Sequence, residues 1–339
     1  MIVVMKPHAA EEHIRHVVEL INEYGLKEHI IRGTDRTVVA CIGDKRTVDK
    51  GAIENAPMVE RVVPILAPYK MASTEVKKEP TQVSVGPEKF QFGSKKIGII
   101  AGPCAVESKE SLLKIARVVK DAGCIGLRAG AYKPRTSPYA FQGLGLDGLK
   151  ILAEARKQTS LAITTEVTGL EQLDAVAEYA DIIQIGARNM QHYPLLEAVG
   201  KLGRPVLLKR GMSAHLDELL LAAEYIIKNG NENVILCERG IRTFENYVRN
   251  TLSLAAVAEL KQNTHLPVIV DPSHGTGHAH LVPAMCNAAI AAGADGLLIE
   301  CHYDPEHALS DGAQSITPQT LVQVMNVLKK IAAAVGREI

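Results

Sequence analysis

The chain has no tryptophan and only four phenylalanines in 339 residues, an aromatic fraction of 4%. A core built on large rings is excluded, and burial falls to Ala, Val, Ile and Leu, as where short buried strands alternate with amphipathic helices. Neither sign of charge is in excess: Lys plus Arg and Asp plus Glu each number 38, so the formal net charge is zero. Such a chain has no global field to draw in nucleic acid or an anionic membrane, and any anion must be captured by a local site. Long apolar runs are missing too. The amino-terminal stretch meets Lys6 too early for a signal peptide or a membrane span, which makes the cytoplasm the expected location. Six cysteines, Cys41, Cys104, Cys124, Cys237, Cys286 and Cys301, lack the paired spacings of a disulfide framework and read as reduced thiols.

What is present is a regular alternation. From Lys96 onward, eight short runs rich in Ile, Val and Leu are each followed by a helical pattern. The runs are Ile97–Ala101, Cys124–Ala129, Leu161–Val167, Asp181–Gly186, Pro205–Lys209, Asn233–Glu238, Pro267–Asp271 and Gly296–Glu300. They do not alternate apolar with polar, as expected of strands covered on both faces of a parallel sheet. Eight such units predict a (β/α)8 TIM barrel, which takes roughly 250 residues and leaves room for a second module. Helices are expected over Ser108–Ala122, with Ser108 as cap, over Asn246–Gln262, and over Pro318–Val335 after Thr317. The first 66 residues read as βαββαβ, a small ferredoxin-like domain. Residues 67–87 have linker composition, residues 88–339 form the catalytic barrel, and Lys89–Phe92 is placed in a hairpin arm plugging the barrel floor.

Active sites of such barrels lie at the carboxyl ends of the strands, and here those ends are polar. Cys104, His274 and Glu300 follow the first, seventh and eighth strands, which become neighbours when the sheet closes. A thiolate, an imidazole and a carboxylate suit a borderline divalent ion such as Mn²⁺, Fe²⁺, Co²⁺ or Zn²⁺ better than Ca²⁺ or Mg²⁺. Asp311, in the loop after the eighth strand, is the candidate fourth ligand. Arg128, Lys133, Arg135, Arg188, Lys209 and Arg239 add a ring of cations around the same mouth. With backbone amides such as those of the Ile185-Gly186-Ala187-Arg188 turn, they imply a ligand with more than one anionic group. Plainer alternatives stand beside this: the Cys as a small core residue, the His as a turn former, the cations paired with Glu166, Glu238 and Asp271.

Five features together, Gly102-Pro103-Cys104-Ala105, Lys133-Pro134-Arg135-Thr136-Ser137, Ile185-Gly186-Ala187-Arg188, Asp271-Pro272-Ser273-His274-Gly275 and the terminal Glu300 with Asp311, resemble 3-deoxy-D-arabino-heptulosonate 7-phosphate (DAHP) synthase of type Iβ. The resemblance covers the whole chain, including the amino-terminal domain of a regulated subset. It implies a metal-dependent transferase that condenses phosphoenolpyruvate with erythrose 4-phosphate, the entry to chorismate and the aromatic amino acids. On this resemblance Cys104, His274, Glu300 and Asp311 hold the metal; Arg128, Lys133, Ala187, Arg188, Lys209 and Arg239 hold phosphoenolpyruvate; Arg135 and Thr136 grip the second phosphate. Lys133 is the candidate proton donor to the aldehyde oxygen, with His274 as the other catalytic candidate. Tyrosine or phenylalanine is the implied effector at the amino-terminal domain, near His29, Gly33 and Asp35, and a homotetramer the implied assembly. Two rivals remain: 3-deoxy-D-manno-octulosonate 8-phosphate synthase, acting on arabinose 5-phosphate, and a ligand-sensing assembly protein with a vestigial barrel.

Overall fold

A computed structural model describes residues 1–33, 36–43, 48–63, 68–135 and 137–339. Asp35, Thr136 and the expected domain boundary at Leu66 lie outside the described residues. The chain divides into two compact units, one of residues 1–79 with 263–265 and one of the remainder.

In the first unit, strands β1 (Ile2–Met5), β2 (Lys27–Arg32), β3 (Thr37–Ile42) and β4 (Val59–Val63) form an antiparallel sheet in the order β2-β3-β1-β4. Helices α1 (Glu11–Glu23) and α2 (Lys50–Glu54) complete the βαββαβ order of a ferredoxin-like domain. Side chains of a strand point alternately to its two faces, and β1 is apolar on both. Val3 and Met5 join the core with Ile14, Val17 and Ile21 of α1, while Ile2 and Val4 pack on Val76.

In the second unit, β5 (Val83–Val85) and β6 (Phe90–Phe92) pair as a hairpin, so the segment read as linker already contains its first strand. Next come β7 (Gly98–Gly102), α3 (Lys109–Asp121), β8 (Gly126–Arg128), α4 (Leu146–Thr159), β9 (Ala162–Val167), α5 (Leu173–Tyr179), β10 (Ile182–Ile185), α6 (Tyr193–Lys201) and β11 (Val206–Lys209). The chain ends with α7 (Leu216–Lys228), β12 (Val234–Glu238), α8 (Leu254–Asn263), β13 (Val268–Val270), a short α9 (Pro272–Thr276), α10 (Val282–Ala291), β14 (Gly296–Glu300) and α11 (Pro318–Ala334). Strands β7 to β14 close into a parallel barrel in which β14 pairs with β7, register Leu297 to Ile99. Ser108 caps α3 through the Ser111 amide, and Thr317 caps α11 ahead of Pro318. None of the helices among the described residues is long and apolar enough to cross a membrane.

The hairpin closes the barrel floor. Phe92, fully buried, packs with Ile100, Ile182, Leu207, Ile235, Ile269 and Leu298, inward-facing residues of six barrel strands. It fits because Gly98 and Gly296 leave space: a Cβ on either would lie 2.5 or 2.7 Å from Phe92 Cε1. Burying a ring of this size stabilises the fold by about 1.5–3 kcal/mol.

The expected helix over Asn246–Gln262 is corrected: only Leu254–Asn263 is helical. Its intended first half is held by tertiary bonds instead. Arg249 donates its amide to the Thr276 carbonyl, Asn250 Nδ2 donates to the His274 carbonyl, and Thr251 bridges to Ile241. These bonds compete with the i to i−4 ladder and win, which brings Arg249 to the barrel mouth.

Candidate active site at the barrel mouth

Closure of β7 against β14 brings Cys104, beyond the end of β7, next to Glu300, the last residue of β14. A ligand atom from each of Cys104, Glu300 and Asp311 lies within 4.8 Å of the others. Cys104 Sγ is 2.9 Å from Ser310 Oγ and donates to Asp311 Oδ2 at 3.2 Å. Burial, reinforced by Glu300, pushes this thiol up to about 12 against the pull of Lys133 and Arg128. Asp311 sits in the left-handed region at φ 52°, which aims its carboxylate back at the thiol. Burial opposes its ionisation, but His274, the Cys104 hydrogen bond and Arg249 prevail and lower it to about 2.

Glu300 is fully buried, with Oε1 2.5 Å from Arg128 Nη1 and Oε2 accepting from Gln314 Nε2 at 2.6 Å. Burial alone would raise its pKa, yet His274 and Arg128 outweigh it and leave it lowered. His274 comes from α9, whose cap Asp271 accepts the His274 amide at 2.9 Å and meets its Nδ1 at 2.7 Å. With Asp271 accepting the Nδ1 proton, the Nε2 lone pair faces Glu300 Oε1 at 3.6 Å. Burial lowers the His274 pKa, so the ring stays neutral. His274 therefore stands beside the three-residue cluster, which it meets at Glu300. A neutral imidazole, two ionised carboxylates and a thiol that yields its proton to a metal form a donor set that fits a borderline divalent ion.

The cations converge as well. Arg128, Lys133, Arg135, Arg188, Lys209 and Arg239 all line a cavity of about 310 Å³, which Asp311 and His274 also reach. Part of the internal lattice considered for them exists. Lys209 bonds Asp271 at 2.5 Å and Arg128 bonds Glu300, whereas Glu238 is taken by Arg210 and Glu166 bonds Gln184. The Asp271 carboxyl, opposed by burial, is held well below its usual range by His274 and Lys209. Arg239 is different: it is buried, and its Nη1 has no hydrogen-bond partner among the described residues, nor has Arg128 Nε. A buried guanidinium with an orphaned donor is costly unless an anion completes it. Arg135 is braced by the Phe141 and Leu309 carbonyls, and Ala187 opens a 3-10 turn whose leading amides have no partner within the turn. Lys133 Nζ lies 2.9 Å from Cys104 Sγ, so it borders both the donor cluster and the cation ring.

Arg249 and Gln314 escape sequence reasoning. Arg249 Nη1 donates to Gln314 Oε1 at 2.8 Å and stands 3.5 Å from Asp311 Oδ1, while Gln314 continues to Glu300. Neither lies at a strand end, the signal that exposed the other residues.

The family profile described as DAHP synthetase I family matches residues 77–337, and the DAHP synthase ferredoxin-like domain matches residues 1–67. A phospho-2-dehydro-3-deoxyheptonate aldolase of Thermotoga maritima is 49% identical over 336 residues, covering 99% of each chain. A 2-dehydro-3-deoxyphosphooctonate aldolase of Syntrophotalea carbinolica is 36% identical over 260 residues, covering 71% of this chain and 91% of that one. Among solved structures, the phospho-2-dehydro-3-deoxyheptonate aldolase (DAHP synthase) of T. maritima superposes with TM-score 0.79 at 48% identity, covering 99% of this chain and 98% of that one. A truncated form of 3-deoxy-D-arabino-heptulosonate 7-phosphate synthase from T. maritima gives 0.74 at 44% identity, over 80% of this chain and 98% of that one.

Proposed function

Since this chain belongs to the DAHP synthetase I family and carries its ferredoxin-like domain, we propose that phosphoenolpyruvate and erythrose 4-phosphate meet in the cavity at the barrel mouth. The enzyme joins them, with water, into DAHP and inorganic phosphate, the first step of the shikimate pathway. The observation that carries the site reading is the pairing, in one place, of the Cys104, Glu300 and Asp311 cluster, with His274 beside it, and guanidinium donors that no group among the described residues satisfies.

Arg128, Lys133, the Ala187 turn, Arg188, Lys209 and Arg239 hold the carboxylate and phosphate of phosphoenolpyruvate, and Arg135 with Thr136 grips the phosphate of the aldose. Holding two anions in register supplies orientation as well as affinity. Cys104, His274, Glu300 and Asp311 hold a divalent ion, Mn²⁺, Fe²⁺, Co²⁺ or Zn²⁺, which when bound supplies Lewis acidity to the aldehyde carbonyl. As C3 of phosphoenolpyruvate adds to the aldehyde carbon, Lys133 Nζ gives a proton to the aldehyde oxygen. Water adds at C2, and the C2–oxygen bond to phosphate breaks. Asp271 keeps the His274 Nδ1 proton in place and anchors Lys209, tying the donor set to the cation ring.

The protonation states give a countable consequence. Asp311 and Glu300 are lowered and so already ionised at neutral pH, His274 is lowered and already neutral, and only the Cys104 thiol holds a proton. Calorimetric titration of chelator-treated protein with Mn²⁺ at neutral pH, in two buffers of different ionisation enthalpy, should show about one proton released per ion. Affinity should rise with pH accordingly. No proton release would contradict Cys104 as a ligand.

Phosphate release from phosphoenolpyruvate, measured with erythrose 4-phosphate and then arabinose 5-phosphate, with and without chelator, tests the substrate. Release confined to erythrose 4-phosphate and lost with chelator is expected; preference for arabinose 5-phosphate would favour the rival reading. The same reading places tyrosine or phenylalanine at the ferredoxin-like domain as feedback inhibitor of a cytoplasmic homotetramer. There His29 lies in β2 opposite Ala40, and Gly33 donates its amide to the Arg36 carbonyl just beyond. Removal of residues 1–66 should leave turnover and abolish inhibition; inhibition that survives would contradict the effector site.

A further inference from the structure

The segment Leu309-Ser310-Asp311 meets both halves of the site. The Leu309 carbonyl accepts from Arg135 Nη2 at 3.4 Å, Ser310 Oγ lies 2.9 Å from Cys104 Sγ, and Asp311 Oδ2 accepts from that thiol at 3.2 Å. It belongs to a loop without a strand to set its course. A side chain from the neighbouring loop, the one after β7, holds it. Glu107, three residues beyond Cys104, accepts the Leu309 amide on Oε1 at 2.8 Å and faces His302 Nε2 with Oε2 at 3.3 Å. His302 is buried, and its Nδ1 accepts the Asp304 amide at 3.0 Å. That bond decides the tautomer: Nδ1 carries the lone pair, so Nε2 carries the hydrogen and donates to Glu107.

We propose that Glu107 and His302 form a clamp that positions Leu309–Asp311, and thereby sets both the reach of Asp311 to the metal and the seat of Arg135 for the aldose phosphate. This rests on the metal and substrate reading above. Glu107 touches neither ligand; it is a positioning residue that joins the loops after β7 and β14. Both carboxylate oxygens act as acceptors, one for each loop anchor, and only a carboxylate meets both donors at once. A glutamine has one oxygen and one amino group, so Glu107→Gln, with nearly unchanged shape, must set N–H against N–H at Leu309 or at His302. Reversing the His302 tautomer does not help, because Nδ1–H would then oppose the Asp304 amide.

The test uses the full chain stripped with chelator. For Glu107→Gln, Mn²⁺ affinity by paramagnetic resonance titration should fall roughly 10–100-fold, the loss typical of groups that orient metal ligands. The KM for erythrose 4-phosphate should rise, the KM for phosphoenolpyruvate should stay within about twofold, and the Leu309 amide should exchange faster with deuterium even without metal. A rescue separates this from simple destabilisation. His302→Asn keeps an acceptor for the Asp304 amide but removes the donor facing Glu107. In that background the amide oxygen introduced by Glu107→Gln is free to turn to Leu309, so Glu107→Gln/His302→Asn should bind Mn²⁺ better than Glu107→Gln alone. Wild-type affinity in Glu107→Gln, an equal rise in both KM values, or additive losses in the double variant would overturn the clamp. If Glu107→Gln does not fold, the double variant decides: folded with near wild-type affinity supports the clamp, unfolded or metal-free overturns it. A wild-type chain that binds no Mn²⁺ would instead contradict the metal reading on which the clamp rests.

Discussion

Cys104→Ser should leave a folded barrel whose turnover falls by about 10²–10⁴-fold, the range that loss of several kcal/mol of charge stabilisation at a metal centre brings. The fold is expected to survive because the thiol is neutral without metal, so the substitution strips no buried charge and nearly preserves volume. Serine still satisfies the hydrogen bonds that Cys104 makes with Ser310 and Asp311. It does not deprotonate for a borderline metal as a thiol does. Circular dichroism, metal content and steady-state rates on one preparation check this: native structure, depleted metal and a depressed rate are expected. Full turnover with full metal content would remove Cys104 from the site.

Lys133→Ala separates chemistry from binding. Lys133 Nζ contacts Cys104 Sγ at 2.9 Å and the Cys104 carbonyl at 3.1 Å, close enough to the donor cluster to serve an aldehyde oxygen brought there. Loss of a positioned proton donor costs roughly 10²–10⁴-fold in kcat. Mn²⁺ affinity should change by less than about tenfold, since Lys133 is a neighbour of the ligands and supplies none of their donor atoms. A lowered kcat with metal retained is the expected split. An unchanged kcat would sink the proton-donor role, and a parallel loss of metal would recast Lys133 as support for Cys104.

Much of the architecture was legible because it depends on local pattern. Uninterrupted Ile, Val and Leu runs mark strands buried on both faces, and their eightfold recurrence already implies that the first and eighth become neighbours, which is why Cys104 and Glu300 were found together. The hairpin plug was legible from Phe90 and Phe92 followed by Gly93. What was not legible is set by tertiary bonds. The segment before Leu254 carries a helical pattern, yet Arg249 and Asn250 bond to carbonyls of α9 and forgo the helix. The choice of partners was equally hidden. Arg128 pairs with Glu300, while Glu238 pairs with Arg210, a residue outside the expected cation ring. Asp311 had no strand to fix its direction; a positive φ, the Arg249–Gln314 pair and the Glu107 bond to Leu309 do so together.

The central claim is that one sulfur, one nitrogen and two carboxylates at the barrel mouth share an ion. Cobalt absorption reads it most directly, because a thiolate bound to Co²⁺ gives a sulfur-to-metal charge-transfer band that nitrogen and oxygen ligands do not. Titration of the chelator-treated protein with Co²⁺ should raise this band to saturation at one ion per chain, with Cys104→Ser showing none of it. Saturable Co²⁺ binding without the band in the wild-type protein, or the same band in Cys104→Ser, would contradict the account.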